Sequence, residues 1–264
     1  MSANNNLARA NYIDINADIG ESFGVYKLGM DEELINYISS ANIACGFHAG
    51  DPDVIDKTVK MAAANNVGLG AHPSLPDRKG FGRREMDLEL EEIRNIIIYQ
   101  VGALEAFARS KNSNLQHVKP HGALYNMAAT DYELAMKIAW AIKEINPDLI
   151  FVAMSQSAMY KAGKELNLRV AGEAFADRAY NQDGTLVSRK RSGAVLEDPG
   201  EIQTRVIRMI KEGKVEAITG EVIEIQPDTI CVHGDNPEAI AIVKKLVSAV
   251  KAAGIGIKPL AEIV

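Results

Sequence analysis

The chain has 264 residues, of which 47% are hydrophobic and 24% are charged, and its formal net charge is −6. This balance is typical of a globular protein large enough for one α/β barrel or two small domains. Because no run of lysine and arginine forms a basic stripe, the composition argues against nucleic acid and anionic membranes as partners, although it leaves room for a small anionic substrate.

The first segment, residues 1–12, is rich in Asn and Ala and lacks the apolar centre of a signal peptide. We expect a disordered tail there, followed by a single domain over residues 13–264. No run approaches the ~18 apolar residues that a membrane span requires. Cys45 and Cys231 lie in apolar runs and are too few for a disulfide framework. These features predict a cytoplasmic protein with two buried, reduced thiols.

Short β-type runs alternate with amphipathic helical stretches along the chain. The predicted strands are Tyr12–Asp18, Ala41–Gly46, Val67–His72, Leu115–Lys119, Leu149–Met154, Arg169–Ala174 and Thr229–His233. The predicted helices are Pro52–Asn65, Leu88–Ser110, Tyr132–Ile145, Ser157–Glu165, Pro199–Glu212 and Pro237–Ala253. Three of these helices begin with a capping residue followed by proline, which marks a helix start clearly.

Strands that alternate with helices predict a parallel sheet with right-handed crossovers. Seven such units could close as an incomplete (β/α)7 barrel or open as a doubly wound sheet, and the polar strand ends favour the barrel. Two segments fall outside the alternation. Phe175–Leu196 is a long, charged connection that we interpret as a lid, and Lys214–Gln226 has the pattern of a small hairpin.

The first strand carries Asp14, Asn16 and Asp18 on one face and apolar residues on the other, since successive side chains alternate. Polar residues also gather where the later strands end. They include four of the five histidines, and the full set is His48, His72, Lys119, His121, Glu173, Asp177, His233 and Asp235. The carboxyl ends of parallel strands converge on one crevice, so this distribution predicts an active site there.

Some polar residues have simpler interpretations. Asp51 precedes Pro52 and is expected to cap a helix. Asp14 lies early in its strand, so we expect it deep in the barrel and paired with Lys119. His117 shares a face with Lys119 but lies deeper, and we interpret it as structural.

The sequence alone does not decide whether the protein binds a metal ion. Asp18, His48 and His72 resemble the Asp/His/His set that binds a divalent ion in some barrel deacetylases, but the compact H-E-x-x-H motif is absent. Arg83, Arg178 and Arg189 could recognise a carboxylate or phosphate, because a guanidinium suits planar bidentate contact. The chain has no phosphate-binding loop of the G-x-x-x-x-G-K-[ST] type and no G-x-S-x-G elbow.

Six long strings carry a resemblance to the LamB/YcsF family. They are INADIGESFGVYKLG (15–29), ANIACGFHAGDP (41–52), GAHPSLPDRKGFGRREM (70–86), VKPHGALYN (118–126), GEAFADRAYNQDGTLVSR (172–189) and CVHGDNPEA (231–239). The resemblance implies an incomplete barrel similar to the polysaccharide-deacetylase type. It also implies ATP-dependent hydrolysis of 5-oxoproline to L-glutamate, with Mg²⁺ accompanying the ATP, in a complex with two further subunits called B and C.

Lactam opening requires a base, an acid and groups that stabilise developing negative charge. We assign water activation to Asp18 and His48, and stabilisation of the oxyanion or phosphoryl oxygens to Lys119 and His121. We expect the remaining candidate residues to position the reactants or bind the substrate. They are Glu173, Asn16, His72, Arg83, Asp177, Arg178, Arg189 and His233. Two rivals stay open, a stand-alone metal-dependent amidase or deacetylase and a regulatory subunit that only binds the ligand.

Overall fold

The computed structural model describes residues 11–234 and 236–264, so most of the predicted tail and Asp235 lie outside the described residues. Tyr12, which the predicted tail included, is the first residue of a strand. The strands are β1 (Tyr12–Ile19), β2 (Ser40–Ala44), β3 (Gly68–His72), β4 (Leu115–Val118), β5 (Ile150–Met154), β6 (Arg169–Phe175), β7 (Lys214–Glu216), β8 (Val222–Glu224), β9 (Thr229–Val232) and β10 (Gly256–Ile257). The helices are α1 (Asp31–Leu34), α2 (Pro52–Ala64), α3 (Leu90–Ser110), α4 (Gly122–Thr130), α5 (Tyr132–Ile145), α6 (Ala158–Glu165), α7 (Pro199–Glu212) and α8 (Pro237–Ala252).

Seven parallel strands of the described chain form the barrel. β1 to β6 pair in sequence order, and β9 pairs with both β6 and β1. In the closing pair, Asp14 lies opposite Thr229 and Ala17 lies opposite Val232. The pairing of β9 with β1 excludes an open sheet and confirms the predicted seven-unit barrel.

The helix starts follow their predicted caps. The side chain of Asp51 accepts hydrogen bonds from the first turn of α2, and Asp198 and Asn236 do the same for α7 and α8. Proline is the first helical residue in all three helices, where its missing N–H costs no hydrogen bond. These caps orient the strand-to-helix loops at the edge of the barrel that holds the polar strand ends.

Two smaller features complete the fold. β7 and β8 pair antiparallel, which confirms the predicted hairpin. A 3-10 helix, Leu260–Glu262, lies across the amino-terminal end of the barrel and buries Leu260 against side chains of β5 and β6. No helix in the described ranges is long and apolar enough to cross a membrane.

Helices α1 and α4 were missed by the sequence analysis. Helix α4 begins directly after His121 with no capping side chain, and its sequence is short and rich in alanine, so neither a start signal nor a clear periodicity marks it. This helix places Tyr125 beside the site described below. Cys45 and Cys231 are free and buried, as predicted.

Candidate active site

The inner face of β1 is polar along its whole length, as the alternation predicted. Asp14 lies deepest and accepts hydrogen bonds of 2.6 Å from the hydroxyls of Ser39 and Ser40, and another from Thr229. The expected pairing of Asp14 with Lys119 is therefore wrong, because three hydroxyl groups satisfy its carboxylate. Burial raises the pKa of Asp14 to about 6 despite these hydrogen bonds.

The ammonium group of Lys119 lies in the middle of the barrel mouth. It contacts Glu173 Oε1 at 2.7 Å, and Asp18 Oδ1 and Asn16 Oδ1 at 3.2 Å each. Burial opposes the charge, but the nearby acidic groups, Asp18 foremost, outweigh it and hold the pKa of Lys119 above its ordinary value. Cys231 Sγ lies 3.3 Å from the same ammonium. In this arrangement Lys119 positions Asp18 while also lining the cleft.

Asp18 uses its two carboxylate oxygens differently. Oδ1 accepts from Asn42 at 2.8 Å and from Lys119, whereas Oδ2 lies 3.2 Å from His72 Nε2. Burial alone would raise the pKa of Asp18, but its electrostatic interactions with His72 and Lys119 hold it well below its ordinary value. The carboxylate is therefore ionised at neutral pH, with one oxygen fixed and the other directed towards the histidines.

His72 and His121 meet with their ring nitrogens 3.0 Å apart, His72 Nε2 facing His121 Nδ1. The other nitrogen of each ring contacts a backbone carbonyl, at 2.7 Å between His72 Nδ1 and Lys119 O and at 2.9 Å between His121 Nε2 and Phe81 O. A carbonyl only accepts, so those nitrogens carry the hydrogens. Burial and the neighbouring His72 lower the pKa of His121 to about 3, which keeps this ring neutral.

Glu21 joins this group although the sequence analysis did not select it. Its Oε1 lies 3.8 Å from His121 Nδ1 and 3.2 Å from His48 Nε2. Asp18, Glu21, His72 and His121 form a cluster in which each residue places a potential ligand atom within 4.8 Å of those of the others. A carboxylate three residues after Asp18, just beyond the end of the same strand, was the signal that could have identified it.

His48, which the sequence grouped with Asp18 and His72 as a possible metal ligand, is not one of the four residues of this cluster. The ring of His48 stacks on His121, with centroids 3.7 Å apart and planes inclined by 3°, and it is 1% exposed. Its Nε2 faces the Glu21 carboxylate and therefore carries the hydrogen, while burial holds its pKa well below the ordinary value. His48 lies behind His121 and orients Glu21, and it does not line the cleft.

Glu173 and Asn16 lie below the cluster and hold it in place. The fully buried Glu173 accepts from Tyr125 Oη at 2.7 Å and from Asn16 Nδ2 at 3.1 Å, in addition to Lys119. Burial, reinforced by Glu173, raises the pKa of Tyr125 well above its ordinary value, so the phenol remains a donor. Neither Glu173 nor Asn16 lines the cleft; both act on residues that do.

A cleft of ≈ 630 Å³ opens above the cluster. Asp18, Glu21, His72 and His121 line one wall. His233, which follows β9 beside β1, also lines the cleft, and its Nδ1 donates to the Asp177 carboxylate at 2.8 Å. Burial disfavours the imidazolium, but Asp177 outweighs this and raises the pKa of His233. The cleft thus has ionisable groups from the ends of β1, β3 and β4 and from the end of β9.

The predicted arginines have different surroundings. Arg178 donates to the carbonyls of Val187 and Ala194, so it fixes the predicted lid segment while lining the cleft. Arg189 and Arg83 line the cleft from exposed positions, and Arg189 Nη2 lies 3.5 Å from His233 Nε2. Within the lid segment, Ala179, Val187 and Ala194 pack together, with Ile218 between β7 and β8 packed against them. Residues 183 and 185–190 of this segment line the cleft.

A model of the LamB/YcsF family matches residues 13–264 of this chain. A protein of Natranaerobius thermophilus, named as the A subunit of 5-oxoprolinase, is 56% identical over 248 residues, which cover 94% of this chain and 96% of that protein. The protein of the same name from Pyrococcus abyssi is 54% identical over 252 residues, covering 96% of this chain and 99% of that protein.

Among solved structures, the lactam utilization protein from Thermus thermophilus is similar to this chain throughout. The TM-score is 0.89 at 43% sequence identity, with 94% of this chain and 99% of that chain covered. The similarity therefore extends over nearly the whole chain and is not confined to one part of the barrel.

Proposed function

Because this chain belongs to the LamB/YcsF family, we propose that it is the A subunit of a 5-oxoprolinase and contributes the site at which the lactam of 5-oxoproline is opened to give L-glutamate. Relatives that bear the name of this subunit are more than half identical to the chain and match it over nearly its full length. Their name describes one part of a larger assembly, which supports a complex with further chains, and we identify these with subunits B and C.

The observation that carries the proposal is that one cleft holds two groups of ionisable side chains. The first is Asp18 with the imidazoles of His72 and His121. The second is the Asp177–His233 pair, at the end of the strand next to β1. Amide hydrolysis needs a group that deprotonates water and another that protonates the leaving nitrogen, and two such groups in one cleft allow both to reach one bound ring.

The reaction that we propose begins with transfer of the γ-phosphoryl group of ATP to the lactam oxygen, which makes the carbonyl carbon electrophilic. Water, deprotonated at the Asp18 wall, adds to that carbon. The C–N bond then breaks as His233 delivers a proton to the ring nitrogen, and a second water hydrolyses the resulting acyl phosphate to glutamate and inorganic phosphate. Positioned proton transfer of this kind contributes ~10²–10⁴-fold in rate.

Exposed guanidinium groups at the rim support an anionic substrate. Arg83 and Arg189 line the cleft and could pair with the carboxylate of 5-oxoproline or with a phosphoryl group. The chain has no phosphate-binding loop, so we propose that ATP, with Mg²⁺, is bound in the assembled complex with the other subunits.

The test is glutamate release from 5-oxoproline by this chain mixed with subunits B and C, measured with and without ATP. We expect glutamate only when all three chains and ATP are present. The substitution Asp18→Asn should lower turnover by at least ~10²-fold, because the amide cannot accept a proton from water.

Asp53→Asn is the matched control, since Asp53 is exposed on the first turn of α2, away from the cleft. Its turnover should equal that of the unmodified complex. Glutamate release without ATP would replace this proposal with the stand-alone amidase. An assembled mixture that binds 5-oxoproline but releases no glutamate would instead favour a subunit that only binds the ligand.

A further inference from the structure

We infer that Asp18, Glu21, His72 and His121 form a binding site for one divalent transition-metal ion at the base of the cleft. The inference rests on the geometry of these four side chains and is independent of which amide the complex opens. His48 and Asn42 do not bind the ion but orient the carboxylates that do.

The two imidazoles are fixed in complementary tautomers by the backbone. The hydrogen of His72 lies on Nδ1, where Lys119 O accepts it, and that of His121 lies on Nε2, where Phe81 O accepts it. In neutral rings this leaves lone pairs on His72 Nε2 and His121 Nδ1, which face each other at 3.0 Å. Two lone pairs directed at one point repel unless a cation lies between them, and metal-bound histidines are held by the same kind of carbonyl contact.

The carboxylates are oriented in the same way. Asn42 and Lys119 occupy Asp18 Oδ1, so Oδ2 is the atom that turns towards the histidines. The Nε2–H of His48 holds Glu21 Oε1 at 3.2 Å, beside His121. Side chains that fix a ligand from behind, without reaching the ion, are a regular part of metal sites.

The distances suit a small ion. Tetrahedral ligands at ~2.1 Å from Zn²⁺ lie about 3.4 Å from each other. The separations observed here bracket that value, at 3.0 Å for His72 Nε2 to His121 Nδ1, 3.2 Å for His72 Nε2 to Asp18 Oδ2, and 3.8 Å for His121 Nδ1 to Glu21 Oε1. Small rotations of the side chains would equalise them.

Charge supports a divalent ion as the occupant. Asp18 and Glu21 within the cluster and Glu173 below it contribute three negative charges, and Lys119 contributes one positive charge. With ligating imidazoles neutral, the group carries a formal charge of −2, which a divalent cation cancels. Buried charges are costly unless paired.

The donor set indicates which ions fit. Two imidazole nitrogens with two carboxylate oxygens suit Zn²⁺, Co²⁺, Mn²⁺ or Fe²⁺ better than Mg²⁺ or Ca²⁺, which prefer oxygen ligands alone. Such an ion, when bound, lowers the pKa of a coordinated water. The ligand atoms line the cleft, so the site opens towards the substrate.

The test is titration of the full-length chain, stripped with a chelator, with Co²⁺ as a spectroscopic probe and with Zn²⁺ in a calorimeter. We expect one equivalent per chain, with visible d–d absorption whose intensity reports four- or five-coordination. His121→Gln and Glu21→Gln should each weaken binding by at least ~100-fold, since even outer-shell changes cost 10–100-fold.

His233→Gln is the matched control, because His233 lies in the same cleft and contacts a carboxylate but is outside the set. It should bind Co²⁺ as the unmodified chain does.

Glu21 lies in a loop and is partly exposed, so the Glu21→Gln variant should retain the thermal unfolding transition if His121→Gln does not. Failure of the folded chain to bind either ion would overturn the inference and leave a shared proton between the two rings. Equal loss in His233→Gln would also overturn it, whereas metal binding without glutamate release would refute only the proposed function.

Discussion

Asp14 is a buried carboxylate surrounded by neutral donors, and its ionisation is coupled to folding. Its folded pKa of about 6 lies above the ordinary 3.8, because burial outweighs the hydroxyl hydrogen bonds. The folded state therefore binds this proton more tightly than the unfolded chain. The stabilisation that this proton gives is complete below pH 3.8 and is lost as the pH rises through about 6.

We predict that Asp14→Asn removes this pH dependence. The rise in pKa corresponds to roughly 3 kcal/mol of unfolding free energy between about pH 4 and pH 7. Urea denaturation of both chains between about pH 4 and pH 7 measures the effect. The unfolding free energy of the wild type minus that of Asp14→Asn should fall by roughly 3 kcal/mol as the pH rises over this range. Profiles that remain parallel would show that Asp14 titrates normally.

At the scale of single residues, the sequence predicted which side chains meet but not how each is used. Alternation along β1 placed Asp14, Asn16 and Asp18 inside the barrel. It did not show that three hydroxyls, from β2, β9 and the loop before β2, would satisfy Asp14 in place of Lys119. Tautomers are likewise set by carbonyls that only the folded backbone brings near, so the sequence could not show that His121, and not His48, directs a ring nitrogen towards His72.

The loop after β3 contacts the start of α4 through two glycines with left-handed backbone. Gly82 has φ of +65° and Gly122 has φ of +56°, and Ala123 N donates to Gly82 O at 2.8 Å. A Cβ on Gly122 would lie 2.4 Å from that same carbonyl oxygen. This contact fixes Phe81, whose carbonyl in turn fixes the tautomer of His121.

We predict that Gly122→Ala destabilises the chain by ~1–3 kcal/mol and weakens Co²⁺ binding, because the loop must move away and release His121. Thermal unfolding and metal titration measure the two effects. Gly102→Ala is the control, since Gly102 lies within α3 with open space around it and alanine favours helix by up to ~1 kcal/mol. A Gly122→Ala chain that binds Co²⁺ normally would show that the contact does not hold the histidine.

Elements with strong local signals were predicted to within a few residues. Capped helices such as α2 and α8 carry their own start signals. Helix α4 carries none, because its first turn is satisfied by Gly82 O from a distant loop and not by its own sequence. Tyr125 was therefore missed, although it contacts Glu173 directly.

The 3-10 helix at the amino-terminal end of the barrel closes the interior opposite the cleft. Leu260 is 0% exposed and packs against Ile150, Val152 and Ala171. Its backbone N–H donates to Ser40 Oγ, one of the hydroxyls that hold Asp14. The floor of the barrel and the polar residues above it are thus joined.

We predict that Leu260→Ala lowers the unfolding free energy by ~2–5 kcal/mol, the usual cost of a cavity at a fully buried leucine. Leu28→Ala, at a leucine that is 45% exposed, should change it by less than ~0.5 kcal/mol. Denaturant unfolding of both variants is the measurement. Equal effects of the two substitutions on the unfolding free energy would show that burial of Leu260 does not stabilise the barrel.

For the whole molecule, the alternation of strands and helices was sufficient to predict seven parallel units, but not their closure. Closure depends on the register between β1 and β9, which begins with Asp14 opposite Thr229, 215 positions apart. Periodicity is a local property and contains no information about such a pairing. The polar strand ends supplied the missing argument, because only a closed arrangement brings them all to one cleft.

That closing pair has a consequence for how the protein is made. During translation the segment with Asp18, Glu21, His72 and His121 leaves the ribosome first, yet Lys119 and Asn16 rely on Glu173 and Thr229, which emerge later. Pairing over so long a separation is slow, and domains that depend on it fold late. A nascent chain therefore exposes these four side chains before the later strands can complete the cleft around them. Translation arrested before β9 should leave a product in which His72 and His121 are exposed and no cleft has formed.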